Sequence, residues 1–154
     1  RARMLENVVV ASDIIRRIPK DERAELLSKF REHRSAAGST LISEGESSEG
    51  LFLLVSGEVV VTKEEEGDQL TLARLGAGDF FGEISLVLRR PAVATVKATT
   101  EVVALKLHYD TFREAVKAHP NLLTELYETA VEREEETASI LALEAESADD
   151  LILV

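Results

Sequence analysis

Residues 51–75 read LFLLVSGEVVVTKEEEGDQLTLARL. Short runs rich in Val, Leu and Thr are separated by two glycine-bearing breaks, Ser56-Gly57 and Glu64–Asp68. Such runs, bounded by turn residues, spell strands at Leu51–Val55, Glu58–Lys63 and Gln69–Leu75. Ser56-Gly57 reads as a tight hairpin turn. Glu64-Glu65-Glu66-Gly67-Asp68 reads as a longer, charged loop tip in solvent. The pattern continues in both directions: Ser39–Ser43 upstream, Ala94–Ala98 and Glu101–His108 downstream, with Gly45, Gly50, Gly76 and Gly78 between them. Strands at this regular spacing point to a sandwich, barrel or roll over residues 34–108.

Either side of that block the pattern turns helical. Residues 1–33 read as helices. Val8–Val10, Ile14, Ile15 and Ile18 form one short apolar face, and Leu26, Leu27 and Phe30 form a second after Pro19 at a first helical position. Gly38 breaks the pattern. Downstream, Asp110 is placed to cap a helix bearing Phe112, Ala115 and Val116, which His119-Pro120 ends. Asn121 is placed to cap the last helix, whose apolar face carries Leu122, Leu123, Leu126, Tyr127, Ala130 and Val131. Glu132–Glu136 interrupts that face before Ile140, Leu141 and Leu143 resume it. Beyond Glu132 two readings stay open, a lid or partner-binding helix and a solvated tail; Leu151–Val154 is too short to read. Residues 1–154 are expected to form one domain: N-terminal helices to residue 33, a roll over 34–108, and C-terminal helices over 109–154.

Composition narrows the function. The 154 residues are 45% apolar but only 5% aromatic, with no Trp, so the core must be aliphatic. No apolar run approaches the roughly 20 residues of a membrane span. With no cysteine there is neither a disulfide framework nor a thiolate metal site. No secretory signal is visible, and the expected location is cytoplasmic. The net charge of −11 repels phosphate backbones, and Lys and Arg form no long stripe. The expectation is therefore no nucleic-acid partner and no membrane contact through this domain. Because the chain begins with Arg1, it is read as part of a larger protein.

The chemistry concentrates at residues 80–97, FFGEISLVLRRPAVATVK. Gly76 and Gly78 lead out of a strand, Gly82 allows a further bend, and residues 83–88 have room for about one and a half helical turns. First-turn amides lack internal partners and sit at the positive end of the dipole, so an anion such as phosphate is well placed there. Glu83 would repel that anion unless it turns aside to accept a hydroxyl's hydrogen bond. A phosphorylated sugar meets both requirements, and so does a plain strand-to-helix corner with Glu83 as a dipole partner. His33, His108 and His119 are scattered, with no ligand-like pairing, so neither a metal centre nor a cupin-type metalloenzyme is expected. Ser12, Ser35 and Ser56 suggest no triad with a histidine, and no catalytic residue is assigned.

Several motifs in register resemble the cyclic nucleotide-binding domain family, found in cyclic-AMP-dependent kinase regulatory subunits, bacterial catabolite activators and cyclic-nucleotide-gated channels. Leu41–Glu46 and Leu51–Val59 resemble its first roll strands, Leu75–Glu83 the entrance to its phosphate-binding cassette, and Pro91 with Val96–Ala98 the cassette's exit. The resemblance covers about Ile18 to Tyr127. It implies a mainly β, α+β fold: an antiparallel eight-stranded, cupin-like jelly roll flanked by helices, with the cassette at residues 80–95. By resemblance, the backbone at Gly82, Ile84 and Ser85 faces the cyclic phosphate and Glu83 holds the ribose 2′-hydroxyl. The family's phosphate-binding arginine falls on Ala92, and Val93 stands where guanine-selective members carry a hydroxyl, which favours cyclic AMP over cyclic GMP. Arg90 is a substitute cation if its loop folds inward, and an exposed loop charge otherwise.

The implied function is a regulatory sensor, not an enzyme, with a weakened phosphate site and occupancy coupled to the last helix. No cofactor is expected beyond the nucleotide ligand. The alternative is a degenerate roll that binds no nucleotide and serves protein contact or homodimerisation through the last helix. The DNA-reading helices of the bacterial activators would follow that helix, and too few residues remain here for them.

Overall fold

The computed structural model describes residues 18–153, with side chains through residue 143. A first helix, α1 (Lys20–Ser28), leads into β1 (Arg31–Ser35), β2 (Thr40–Ile42), β3 (Gly50–Ser56), β4 (Val59–Glu65), β5 (Asp68–Leu75) and β6 (Phe80–Phe81). Then follow a short helix α2 (Glu83–Val87), β7 (Thr95–Ala98), β8 (Val102–His108), α3 (Tyr109–Ala118) and the long α4 (Pro120–Leu153). Backbone pairing sorts the strands into two four-stranded antiparallel sheets, ordered β1-β8-β3-β6 and β2-β7-β4-β5. This is the eight-stranded roll with flanking helices that the resemblance implies. Of the helix expected over Val8–Ile18, all but Ile18 lies outside the described residues, and Ile18 sits in a bend; the side chains of Leu151–Val154 also lie outside them.

The continuous apolar run of β3 has a direct cause: both its faces are buried. Leu51 and Leu53 join Leu105 and Leu107 of β8 beneath the helices, against Leu26, Phe30, Phe112, Leu122 and Leu126. The alternate residues Phe52 and Leu54 point between the sheets, where they meet Val59, Phe81, Val96, Val102 and Ala104. The period of two thus divides one strand between two cores. Phe52 and Phe81 stack with ring centroids 4.8 Å apart and planes 3° from parallel.

Ser56-Gly57 is not a hairpin turn. The strands on either side belong to different sheets, so the chain crosses between layers there. Gly57 makes the crossing at φ +91°, and a Cβ on it would lie 2.3 Å from the Glu101 carbonyl oxygen. Gly57→Ala is therefore expected to cost at least about 1–2 kcal/mol for the left-handed backbone alone, read as a lowered urea midpoint. The acidic break is the true hairpin: Glu65 pairs with Asp68 across Glu66 and Gly67, both at positive φ as a two-residue primed turn requires.

Three helix ends also differ from the sequence reading. Pro19 precedes α1 as its cap. His108 rather than Asp110 caps α3, its Nδ1 accepting from the Asp110 amide at 3.3 Å. The last helix starts at Pro120 rather than after Asn121, with proline where a missing N–H has no consequence.

Candidate functional site

β6 ends at Gly82, whose φ of +89° turns the chain into α2. A Cβ there would lie 2.7 Å from the Gly50 carbonyl oxygen and 3.2 Å from Ser48 Oγ. Close approach to β3 and the left-handed backbone both require glycine. The turn leaves the amides of Gly82, Glu83, Ile84 and Ser85 without a loop carbonyl or capping side chain as acceptor among the described residues. Ser85 Oγ works backwards instead. It donates to the Arg90 carbonyl at 2.7 Å and accepts from the Ser48 amide at 3.3 Å, tying the following loop and the β2–β3 loop to α2.

That loop brings Ala92 and Val93 back beside the turn. Ala92 is pinned through its backbone: its N–H donates to the Glu46 carbonyl and its own carbonyl accepts from Gly45, both at 2.8 Å. The Val93 carbonyl accepts from Lys63 Nζ at 2.9 Å. Between these segments and α4 lies a cavity of about 140 Å³. Gly82, Glu83, Ile84, Ser85, Ala92 and Val93 all border it; Arg90 does not. Arg90 pairs with Glu134 of α4 and, with Arg89, borders a neighbouring cleft. Apolar side chains of both sheets, among them Ile42, Val61, Leu75 and Phe81, make the cavity floor.

The last helix forms one wall of the cavity. Arg133, Glu136, Thr137 and Ile140 line it, so residues 133–140 of α4 lie against the roll rather than forming a solvated tail. Arg133 Nη1 donates to Glu83 Oε1 at 2.5 Å, and the Glu83 side chain is only 1% exposed. A carboxylate that deep is tolerated because it is paired and hydrogen-bonded. The sequence reading missed Arg133 and Thr137. The signal was present: Leu122, Leu126, Ala130, Arg133, Thr137 and Ile140 follow one another at steps of three and four, one stripe of a helix. An arginine in that stripe must face the protein. Tyr127 and Leu143, by contrast, are exposed and away from the cavity. His119 is buried, with Nδ1 3.6 Å from Glu22. No acidic or histidine cluster that would hold a metal occurs among the described residues.

Residues 32–119 match the family profile described as cyclic nucleotide-binding domain. The chain is 36% identical over 102 residues to the cAMP-activated global transcriptional regulator CRP of Salmonella typhimurium, covering 65% of this chain and 49% of that one. It is 30% identical over 126 residues to a cyclic nucleotide-gated potassium channel of Rhizobium etli, over 82% of this chain and 34% of the channel. Among solved structures it resembles the Thermus thermophilus Catabolite Activator Protein with a TM-score of 0.74 at 26% identity, over 88% of this chain and 63% of that one. These relatives are named as regulators and a gated channel rather than as enzymes.

One expectation is overturned. We expected no nucleic-acid partner, yet the relatives at 36% identity are transcriptional regulators by name. Net charge acts through the surface that carries it. The chain spans about half the length of the curated relatives it matches, so its acidity excludes nothing for the rest of such a molecule. As for membranes, no helix among the described residues is long and apolar enough to cross one. With the profile matched over more than half of its residues, and the two-sheet roll in place around a glycine-turned cassette, the chain belongs to the cyclic nucleotide-binding domain family.

Proposed function

We propose that this domain is a sensor that takes up a cyclic nucleotide, cyclic AMP in preference to cyclic GMP, in the cavity between α2 and α4. The observation that carries this reading is Glu83: a buried carboxylate at the cavity wall, beside backbone amides that engage no protein group among the described residues. A ribose hydroxyl suits the carboxylate, and a phosphate suits the amides. Ala92 stands where the family's arginine would pair with the phosphate, so the site holds its ligand less firmly. Val93 offers no hydroxyl to a guanine. Coupling follows from the lid. Arg133 and Thr137 of α4 share the cavity with Glu83, so an occupant interacts differently with two placements of the helix, and only such a difference can shift them.

Calorimetric titration tests this. Cyclic AMP should give saturable heat and cyclic GMP a weaker response. Ala92→Arg should tighten cyclic AMP binding by about tenfold to a few hundredfold, the worth of one charge-assisted contact. No heat and no thermal shift with millimolar cyclic AMP or cyclic GMP would end the reading. A second reading has its own support. Leu123, Tyr127 and Leu143 are exposed apolar side chains on α4, as expected if the helix serves protein contact and the roll binds no nucleotide. A dimeric mass by light scattering, together with a silent titration, would favour it.

A further inference from the structure

We propose that Arg133, carried on the last helix, supplies the positive charge that the phosphate of a bound cyclic nucleotide requires. The inference rests on the nucleotide-binding reading above. Of the described side chains bordering the cavity, Arg133 is the only cation, and two others, Glu83 and Glu136, are acids. Three described cations on the flanking segments are committed elsewhere or border another cleft. Arg90 pairs with Glu134 and, like Arg89, borders the neighbouring cleft. Lys63 Nζ is held by the Val93 carbonyl and by Glu44 at 3.6 Å. An anion entering this cavity without Arg133 would meet the amides of the turn and two carboxylates, with no cationic side chain among the described residues.

Arg133 has donors to spare. A guanidinium carries five N–H groups in a fixed fork, and the contact with Glu83 Oε1 uses one terminal nitrogen. The remaining edge can serve a phosphate oxygen while the carboxylate stays satisfied. One side chain thus neutralises the buried acid that takes the sugar and meets the anion beside it. Placement supports the division of labour: Glu83 lies between Gly82 and Ile84 in the chain, and Ala92 borders the same cavity without filling it with a charge. The phosphate contact comes from the lid rather than from the cassette loop.

The test compares cyclic AMP with adenosine, which keeps the base and ribose and lacks the phosphate. Dissociation constants are measured by calorimetry for the unsubstituted chain, Arg133→Gln, Ala92→Arg and the double variant. The unsubstituted chain should prefer cyclic AMP. Arg133→Gln should cut that preference by about ten- to a hundredfold, moving the adenosine constant far less. Ala92→Arg should restore it in the Arg133→Gln background, and gain more there than in the unsubstituted chain. Should Arg133→Gln fold poorly, Glu83→Gln/Arg133→Gln removes the buried charge. The ratio of the two ligands within that one protein still reads the phosphate contact, because changes at the ribose affect both. An unchanged ratio in Arg133→Gln overturns the inference and leaves the sensor reading intact, as does equal weakening of both ligands, which would make Arg133 a positioning residue for Glu83. An unsubstituted chain that binds no cyclic AMP overturns both.

Discussion

Arg133→Leu should lower the free energy of unfolding by about 3–5 kcal/mol, the range for removing one partner from a buried ion pair. The cost comes less from the lost attraction than from what remains. Glu83 is 1% exposed, and its oxygen would keep no cationic partner in that cavity wall. Leucine fills the space near an apolar floor, so packing loss is a minor part of the change. The double variant Glu83→Gln/Arg133→Leu should recover most of the stability, since no buried charge is stranded. Urea denaturation of the four proteins of this cycle gives the coupling directly. A loss below about 1 kcal/mol for Arg133→Leu, which is the scale of an exposed pair, would show that Glu83 is stabilised by something other than the lid.

Phe81→Ala should cost about 3–5 kcal/mol, as for other buried phenylalanines cut to alanine. Phe81 is 2% exposed, stacks on Phe52 and sits in the two-residue β6 that pairs with β3 at Phe52 and Leu53. Its removal empties part of the layer between the sheets, and such a short strand has little else to hold it. The next residue is Gly82, so slackening here also loosens the turn that sets out the amides. Thermal unfolding should show the lost stability, and the calorimetric titration should show weaker cyclic AMP binding. Phe81→Leu, which conserves most of the volume, should cost far less.

The sequence made the middle of the fold legible because burial writes a period there. Six strands were visible in alternation and glycine breaks, and the cassette turn in Gly82-Glu83. Two strands left no such trace. β1 is Arg-Glu-His-Arg-Ser, with no large aliphatic residue; its strand character comes from pairing with β8, from Arg31 opposite Lys106 to Ser35 opposite Val102. Residues 31–33 were accordingly read as the end of the N-terminal helices, whereas α1 stops at Ser28 and the first sheet begins at Arg31. β6 is two residues long, too short for any period. Ser56-Gly57 has a hairpin's composition, but which sheet each strand joins is settled by partners distant in sequence. At the site, the cassette residues were found because they are contiguous. Arg133 stands 50 positions from Glu83, and the acidic run around it concealed the helical stripe to which it belongs.

The polar first strand also bears on how the molecule behaves in a crowd. Among the described residues β1 is the outer member of its sheet, and an uncovered sheet border is a template onto which another chain can stack and begin a fibril. Here that border carries Arg31, Glu32 and Arg34 in five residues, and charged side chains are one means by which proteins blunt such a border. The residues that hid the strand from a hydrophobic pattern are thus of the kind that discourages edge-to-edge stacking of copies.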